Sequence, residues 1–349
     1  MSDVTMLDVA REAGVGVATV DRVINRRARV RAETAARVLA AAERIGFNRI
    51  GLIRKRIDED TSSFRLGFIL QKSTAFYGEL GEALLEAAKS AAIPLGKTSI
   101  IYLEDLTPSS IVNTLLKMSE KVDAIAVVAA DHPLINKTIS DLKRKGIPVF
   151  ALISDLSGND SAGYVSVDHR MMGRTAAWTM VNRLPQGGKL GLMIGSHRYL
   201  CQEQAEIGFR SYLREHAPQF DVLETMMNLE DSRLAENATL ELLSQHKDLQ
   251  GIYIAGGGVE GVVQALTSHT PDKRLPKDNN EGFTTICHDL TTYSRQALID
   301  GYMTMVLSHP NKWMATSLIE AMIGAIRTPD NKGRHHVVLP HITYTSANV

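Results

Sequence analysis

Acid and imidazole side chains recur just beyond apolar runs of this 349-residue chain. Asp131 and His132 follow AIAVVAA, Asp155 follows VFALIS, Asp168 and His169 follow YVSV, and His288 and Asp289 follow TTIC. Arg198 and Gln202 come after LGLMIG, His309 after MVLS, and the stretch Gln71-Lys72-Ser73-Thr74-Ala75-Phe76-Tyr77 sets polar groups beside two rings. Carboxylates, amides and imidazoles grip hydroxyl groups, while aromatic rings cover the C–H face of a sugar or polyol. Catalysis would need a nucleophile paired with a base, or ligands at metal spacing. The eleven histidines are scattered, His335-His336 sits in a strand pattern, and Cys201 and Cys287 make neither a disulfide framework nor a metal cluster. No catalytic residue, metal or cofactor is therefore expected. For each strand-end residue taken singly, a capping or surface role is the plain alternative.

One motif points elsewhere. Gly256-Gly257-Gly258-Val259-Glu260-Gly261 satisfies G-x-G-x-x-G after the strand pattern GIYIA and before the helix pattern VVQAL, which is the spacing of a dinucleotide-binding turn. The acid of the next strand, Asp289, lies 28 residues beyond Gly261, rather than the usual 20 or so. A tight turn whose glycines let backbone approach a ligand is the preferred reading, with Gly258 at its centre.

These residues need a scaffold that brings strand ends together. From residue 64 onward, RLGFIL, TSIIYL, AIAVVA, VFALI, YVSV, LGLMI, DVLETM, GIYIA and TTICHD alternate with helical patterns at 81–92, 109–119, 134–145, 170–183 and 205–215. Such alternation predicts parallel sheets covered on both faces, with ligands beyond the carboxyl ends of strands. Two successive runs predict two similar lobes. No repeat of 20 to 50 residues is present, which excludes solenoids and propellers.

Ahead of this body stands a small basic head. Residues 1–57 hold twelve Lys/Arg against six Asp/Glu; with 39 of each in the whole chain, the rest holds 27 against 33. Met6–Ala13, Val17–Asn25 and 32–45 carry helical periodicity, with Gly14 at a sharp turn. Three short helices around one core make a helix-turn-helix, whose second helix enters the major groove. No apolar run is long enough to span a bilayer, and MSDVTMLDVAREAG carries acids where a signal peptide would be apolar. A cytoplasmic location without membrane contact is expected.

VTMLDVAREAGVGVATVDRVIN, followed by RVRAETAARVLAAAERIGF, resembles the N-terminal domain of the LacI/GalR family of bacterial transcriptional regulators. The resemblance implies base reading by Val17, Ala18 and Arg22, with Arg22 aimed at a guanine edge. It implies phosphate contacts from Thr5, Thr19 and Asn25, with Arg26, Arg27, Arg29 and Arg31 adding charge. Asp21 stands where the family has serine; it either braces Arg22 or the neighbouring helix, or accepts from a cytosine amine. After Phe47 the family continues into a minor-groove hinge helix that wedges a leucine between base pairs; here Leu52 and Ile53 are the candidate wedges, and a plain tether is the equal alternative.

The expected architecture is thus a small all-α helix-turn-helix domain (1–48), a linker (49–63) and a two-lobed α/β domain of the type I periplasmic-binding-protein kind with parallel sheets (64–345). Its lobes are expected at 64–165 with 305–330 and at 166–304 with 331–345, with crossings near 165–167, 306–309 and 328–334. Candidate effector residues are Ser73, Phe76, Tyr77, Asp131, His132, Asp168, Arg198, Gln202, Gly258, Asp289 and His309. The family has an arginine anchor three residues before the Gly208-Phe209 pair, where this chain has Ala205; Arg198 is a candidate substitute. The implied function is a repressor-type regulator of carbohydrate or polyol genes. It would bind a palindromic DNA operator as a homodimer and answer to a sugar, polyol or sugar phosphate. A transport-type sugar-binding protein and an NAD-dependent enzyme are the rival readings.

Overall fold

The computed structural model describes residues 4–25, 30, 32–48, 50–51, 53, 64–72, 75–93, 95–269, 283–328 and 333–349. They form two compact units, Met1–Phe64 with Ala91–Lys97, and Arg65–Ser90 with Thr98–Val349.

The first unit carries helices α1 (Met6–Ala13), α2 (Val17–Asn25) and α3 (Ala32–Arg44). Thr5 caps α1 reciprocally with Asp8: its backbone N–H and hydroxyl donate to Asp8 Oδ2 at 2.9 and 2.6 Å, while the Asp8 N–H returns to Thr5 Oγ1 at 3.4 Å. Val9, Val20, Ile24, Val38 and Phe47 make the core. Ile53 belongs to that core and is fully buried. The expectation that it wedges into a groove is therefore corrected: the head's own packing uses the side chain. Leu52 lies outside the described residues.

The second unit holds two sheets. Strands β1 (Leu66–Gln71), β2 (Ser99–Leu103), β3 (Ala124–Val127), β4 (Val149–Leu152) and β5 (Gly163–Val167) build the first. With β12 (His335–Leu339) they run in the order β12-β5-β4-β3-β1-β2, all parallel. Helices α4 (Ala75–Lys89), α5 (Pro108–Ser119) and α6 (Pro133–Arg144) connect them. Every residue of β1, β3, β4 and β5 is buried, the signature of strands covered on both faces.

The second sheet comprises β6 (Gly188–Ile194), β7 (Phe220–Val222), β8 (Met226–Met227), β9 (Leu249–Ile254), β10 (Thr284–His288), β11 (Met305–Ser308) and β13 (Ile342–Tyr344). Its order is β13-β11-β10-β9-β6-β7, with β8 also on β6, and β13 runs antiparallel to β11. Its helices are α7 (His169–Arg183), α8 (Leu200–His216), α9 (Ser232–Gln245), α10 (Val259–His269) and α11 (Thr292–Asp300). The run DVLETM is not one strand. Arg210 donates to the carbonyls of Val222 and Leu223 at 3.2 and 2.9 Å, and the ladder breaks into β7 and β8.

Along the described residues the chain crosses between lobes three times. It leaves the first lobe after β5 at Asp168, and returns after β11 at His309 and Pro310, because α12 (Asn311–Arg327) packs on α4 and the first sheet. The third crossing was expected at 328–334. Instead β12 pairs with β5 from His335↔Gly163 to Leu339↔Val167, so the chain stays in the first lobe until Pro340, which lacks the N–H to continue a ladder. Lobe membership is corrected accordingly: 305–308 is strand β11 of the second sheet and 335–339 belongs to the first.

Helices α7 and α8 approach through two glycines. A Cβ on Gly173 would lie 1.9 Å from the Ala205 carbonyl oxygen, and one on Gly208 would lie 2.1 Å from that of Arg170. Both obstacles are backbone, so neither can rotate away. Ala205 is fully buried in this crossing, which leaves no room for the arginine the family carries there. Gly173→Ala should destabilise the body by about 1–3 kcal/mol, as overpacking does. Gly78→Ala, on an open face of α4 where a Cβ meets nothing within 4 Å, should stabilise it by up to about 1 kcal/mol through helix propensity. Urea unfolding of both variants checks this, and equal midpoints would contradict the packing argument.

Candidate functional site

The carboxyl ends of the two sheets face each other across a cavity of about 70 Å³, room for roughly five waters at the ~10–15 Å³ each one needs. One wall comes from the first turn of α4, which starts at Ala75 rather than in the expected 81–92 pattern and so turns Phe76 and Tyr77 inward. Their rings meet edge to face at 5.0 Å.

Histidines from both sides of the crossings complete the site. His309 lies at the second crossing, and Asp289 follows β10. The His309 backbone N–H donates to Asp289 Oδ1 at 3.0 Å and its ring Nδ1 lies 2.7 Å from the same oxygen. A carboxylate accepts, so Nδ1 carries the proton. Burial alone would raise the Asp289 pKa, but the charge and hydrogen bonds of His309 outweigh it and hold the group below the ordinary aspartate value. The Asp289 backbone is left-handed, at φ 62°.

His169, at the first crossing, places Nε2 2.9 Å from the carbonyl of Ile153 and 3.0 Å from Ser166 Oγ. Since a carbonyl only accepts, Nε2 is its protonated nitrogen. The same carbonyl accepts from Tyr164 Oη at 3.1 Å. Ile153 needs that grip, because a β-branched residue at φ 65° carries roughly 1–3 kcal/mol of strain. The His169 ring lies 5.2 Å from that of His309 and 6.4 Å from that of His288. Burial, then the neighbouring His309 and His288, pushes the His169 pKa well below the ordinary histidine value. His288 lies 2.6 Å from Tyr253 Oη, and burial lowers its pKa to about 3.

The second lobe adds Glu230 and Gln202. Gln202 Oε1 accepts the N–H groups of Gly195 and Ser196 at 2.8 and 2.9 Å, and its Nε2 donates to Glu230 Oε1 at 2.6 Å. Glu230 Oε2 accepts from the Gly257 N–H at 2.9 Å. Burial raises the Glu230 pKa against the pull of these two donors. The glycine motif is used by this network: a Cβ on Gly257 would lie 2.1 Å from Glu230 Oε2, and one on Gly261 1.8 Å from the Ser232 carbonyl at the start of α9. Close packing of α10 on its neighbours, with Gly258 at φ 82°, accounts for the spacing that resembled a dinucleotide turn.

On the head, Val17, Ala18, Arg22 and Asn25 stand exposed along α2, with Thr19 and Asp21 half-buried. Asp21 accepts from Asn25 Nδ2 at 2.6 Å, one turn on, and Thr5 is engaged in its cap. Arg26 and Arg29 lie outside the described residues.

Comparison with known proteins places this geometry. Residues 67–328 match the model of the periplasmic binding protein domain, and residues 5–49 match that of the bacterial regulatory proteins of the lacI family. The chain belongs to the periplasmic binding protein domain family and carries a lacI-family head. Among its relatives, the HTH-type transcriptional regulator pepR1 of Lactobacillus delbrueckii subsp. lactis is 26% identical over 75% of this chain and 72% of that protein. Catabolite control protein A of Staphylococcus xylosus is 29% identical over 62% and 64%. The regulator GalS of Salmonella typhimurium is 25% identical over 72% and 71%. In fold, the body is similar to an ABC transporter solute-binding protein of Burkholderia graminis in complex with D-arabinose, with a TM-score of 0.74, 17% identity, and 82% of this chain and 96% of that one covered. It is also similar to GanP, a glucose-galactose binding protein of Geobacillus stearothermophilus, at 0.72, 14%, 82% and 99%.

Within the body, the expected effector residues separate. Phe76, Tyr77, Gln202, Gly258, Asp289 and His309 line the cavity. Asp131, His132 and Arg198 instead line an adjoining cavity of about 190 Å³. Asp131 there accepts from Asn136 and the Ser157 N–H, and His132 caps α6. Asp168 caps α7 through Met171 and lines a third cavity of about 350 Å³. Ser73 lies outside the described residues. Sequence reading passed over Glu230 and Tyr199, and noted His169 and His288 at their strand ends without carrying them into the effector set. The last three each adjoin a chosen neighbour, and Glu230 follows the short strand β8, which leaves little apolar signal. Among the described residues, no group of three or more His, Cys, Asp or Glu is arranged to hold a metal ion, and no helix is long and apolar enough to cross a membrane.

The buried neutral histidines set a pH dependence. Their folded pKa values lie below the unfolded value of 6.5, so their contribution to stability is complete above about pH 6.5 and is lost as pH falls from there toward the folded value, about 3 for His288. Urea unfolding between pH 6.5 and 5 should show stability falling with acid. His288→Gln, which keeps a partner for Tyr253, should reduce that slope by about one proton, or roughly 1.4 kcal/mol per pH unit. Identical slopes would contradict the assignment.

Proposed function

We propose that this lacI-family chain is a repressor-type transcriptional regulator of carbohydrate or polyol genes, working as a homodimer whose two heads read the halves of a near-palindromic operator. The single observation that carries the reading is the joining, in one chain, of a helix-turn-helix with Val17, Ala18 and Arg22 exposed on α2 to a two-lobed body closing on a hydroxyl-gripping cavity. A transport-type binding protein has no use for such a head. Pairing of heads follows from area, since one such module buries too little surface for tight specific binding.

Relatives named as transcriptional regulators, pepR1 and GalS among them, support the regulatory role. Fold neighbours described with D-arabinose or as glucose-galactose binding support a sugar or polyol as effector. A ligand held in the cleft acts on DNA binding only through unequal affinity for the two states of the body.

Fluorescence anisotropy of the full chain on short palindromic duplexes tests this. The affinity for a preferred duplex should fall linearly with salt on logarithmic axes as phosphate contacts release counterions. Arg22→Ala should cost about 1–3 kcal/mol of discrimination at one base pair of each half-site. Absence of preference for any duplex over random competitor at low salt would overturn the proposal.

A further inference from the structure

The chemistry of the cleft narrows the class of effector, on the reading that this cavity is the effector site. Two ring nitrogens of cavity-lining histidines, His169 Nδ1 and His309 Nε2, are buried without a hydrogen-bond partner. In each ring the other nitrogen is spoken for by a group that only accepts, the Ile153 carbonyl for His169 and the Asp289 carboxylate for His309. In the neutral form of each ring the proton therefore sits on that other nitrogen, and the unpartnered one presents a lone pair. Buried polar atoms without partners cost free energy, so two such acceptors in one cavity wall call for a ligand that brings donors.

The charged groups around the cavity point the same way. Glu230, Glu260 and Asp289 line it, and none of the described lining residues is Lys or Arg. Arg198, the sequence-level candidate for a cationic anchor, is exposed and lines the adjoining cavity instead, while Ala205 is sealed in the α7–α8 crossing. An anionic ligand would meet three acidic side chains and no Lys or Arg among the described lining residues, the kind of mismatch that rejects a wrong partner.

We infer that the effector is an uncharged or amine-bearing polyhydroxy molecule of monosaccharide size, that it donates hydrogen bonds to His169 Nδ1 and His309 Nε2, and that the phosphate esters of such molecules are excluded. His169 and His309 are then specificity-determining residues that read donors. The sugar phosphates that the head-and-body family resemblance left open drop out.

Two measurements on the full chain test this. With 15N-histidine label and no ligand, NMR at pH 8 should show lone-pair nitrogens at His169 Nδ1 and His309 Nε2; a proton on His309 Nε2 there would overturn the assignment without any variant being made. Calorimetry and thermal shift with pentoses, hexoses, hexitols and 2-amino-2-deoxyhexoses, each beside its phosphate ester, should then find binding among the unesterified members only. His309→Gln and His169→Asn should each weaken that binding about tenfold or more, as a site built around hydrogen bonds does when one is lost. A phosphate ester whose binding is lost in His309→Gln, or silence across the whole panel, would sink the inference. Operator binding by the head, measured separately, would be untouched by that failure. Sugar binding indifferent to both histidine variants would instead show that the cavity is not the effector site.

Discussion

Asp289 and His309 hold the second interlobe crossing with two hydrogen bonds to one carboxylate oxygen, and the geometry of the cleft depends on that clamp. The crossing strand β11 delivers His309 to the cavity, and β10 beside it delivers Asp289 in a left-handed turn. His169 makes the matching attachment at the first crossing by gripping the Ile153 carbonyl. His341 follows Pro340 at the third, half-buried, where burial and then His309 lower its pKa. Each crossing thus carries a histidine in an environment that favours its neutral form or pairs it with an acid.

Backbone strain gathers at the same place. Ile153, Glu230 and Asp289 are all at positive φ and all line the cavity; such conformations persist only where surrounding contacts over-determine them. The contacts are visible: Tyr164 and His169 on the Ile153 carbonyl, Gln202 and Gly257 on the Glu230 carboxylate, His309 on Asp289. Away from the cleft the body is conventional, with buried parallel strands and helices in close contact. The tight α7–α8 crossing shows how packing limits binding chemistry, because the position that could carry a cationic anchor is consumed by a helix contact.

Much of this was legible in the sequence, for physical reasons that also explain the misses. Apolar runs of four to six residues separated by amphipathic stretches announce buried parallel strands, and polar residues at their ends announce the cleft. What the pattern does not give is which residue of a pair points inward. Asp168 and His169 are adjacent, but a helix begins between them, so the acid caps it and the imidazole turns to the cavity. Of the neighbours Arg198 and Tyr199, only Tyr199 reaches this cavity, while both line the adjoining one. The third crossing was misplaced because HHVVL, an edge strand with an alternating burial pattern, carries a weaker signal than the fully buried runs. Ile53 read as a wedge because hydrophobicity alone does not say whether a residue serves DNA or its own core.

The central claim is that one chain couples a DNA-reading head to a donor-reading cleft, and thermodynamic linkage gives the most direct test. Operator affinity of the full chain should be measured with and without saturating cleft ligand, in the native chain and in His309→Gln at the same ligand concentration. Coupling predicts a change of about 5–150-fold in the native chain, and a change reduced or absent in the variant in proportion to its lost ligand affinity. An operator affinity that stays the same in the native chain when the cleft is full would contradict the account.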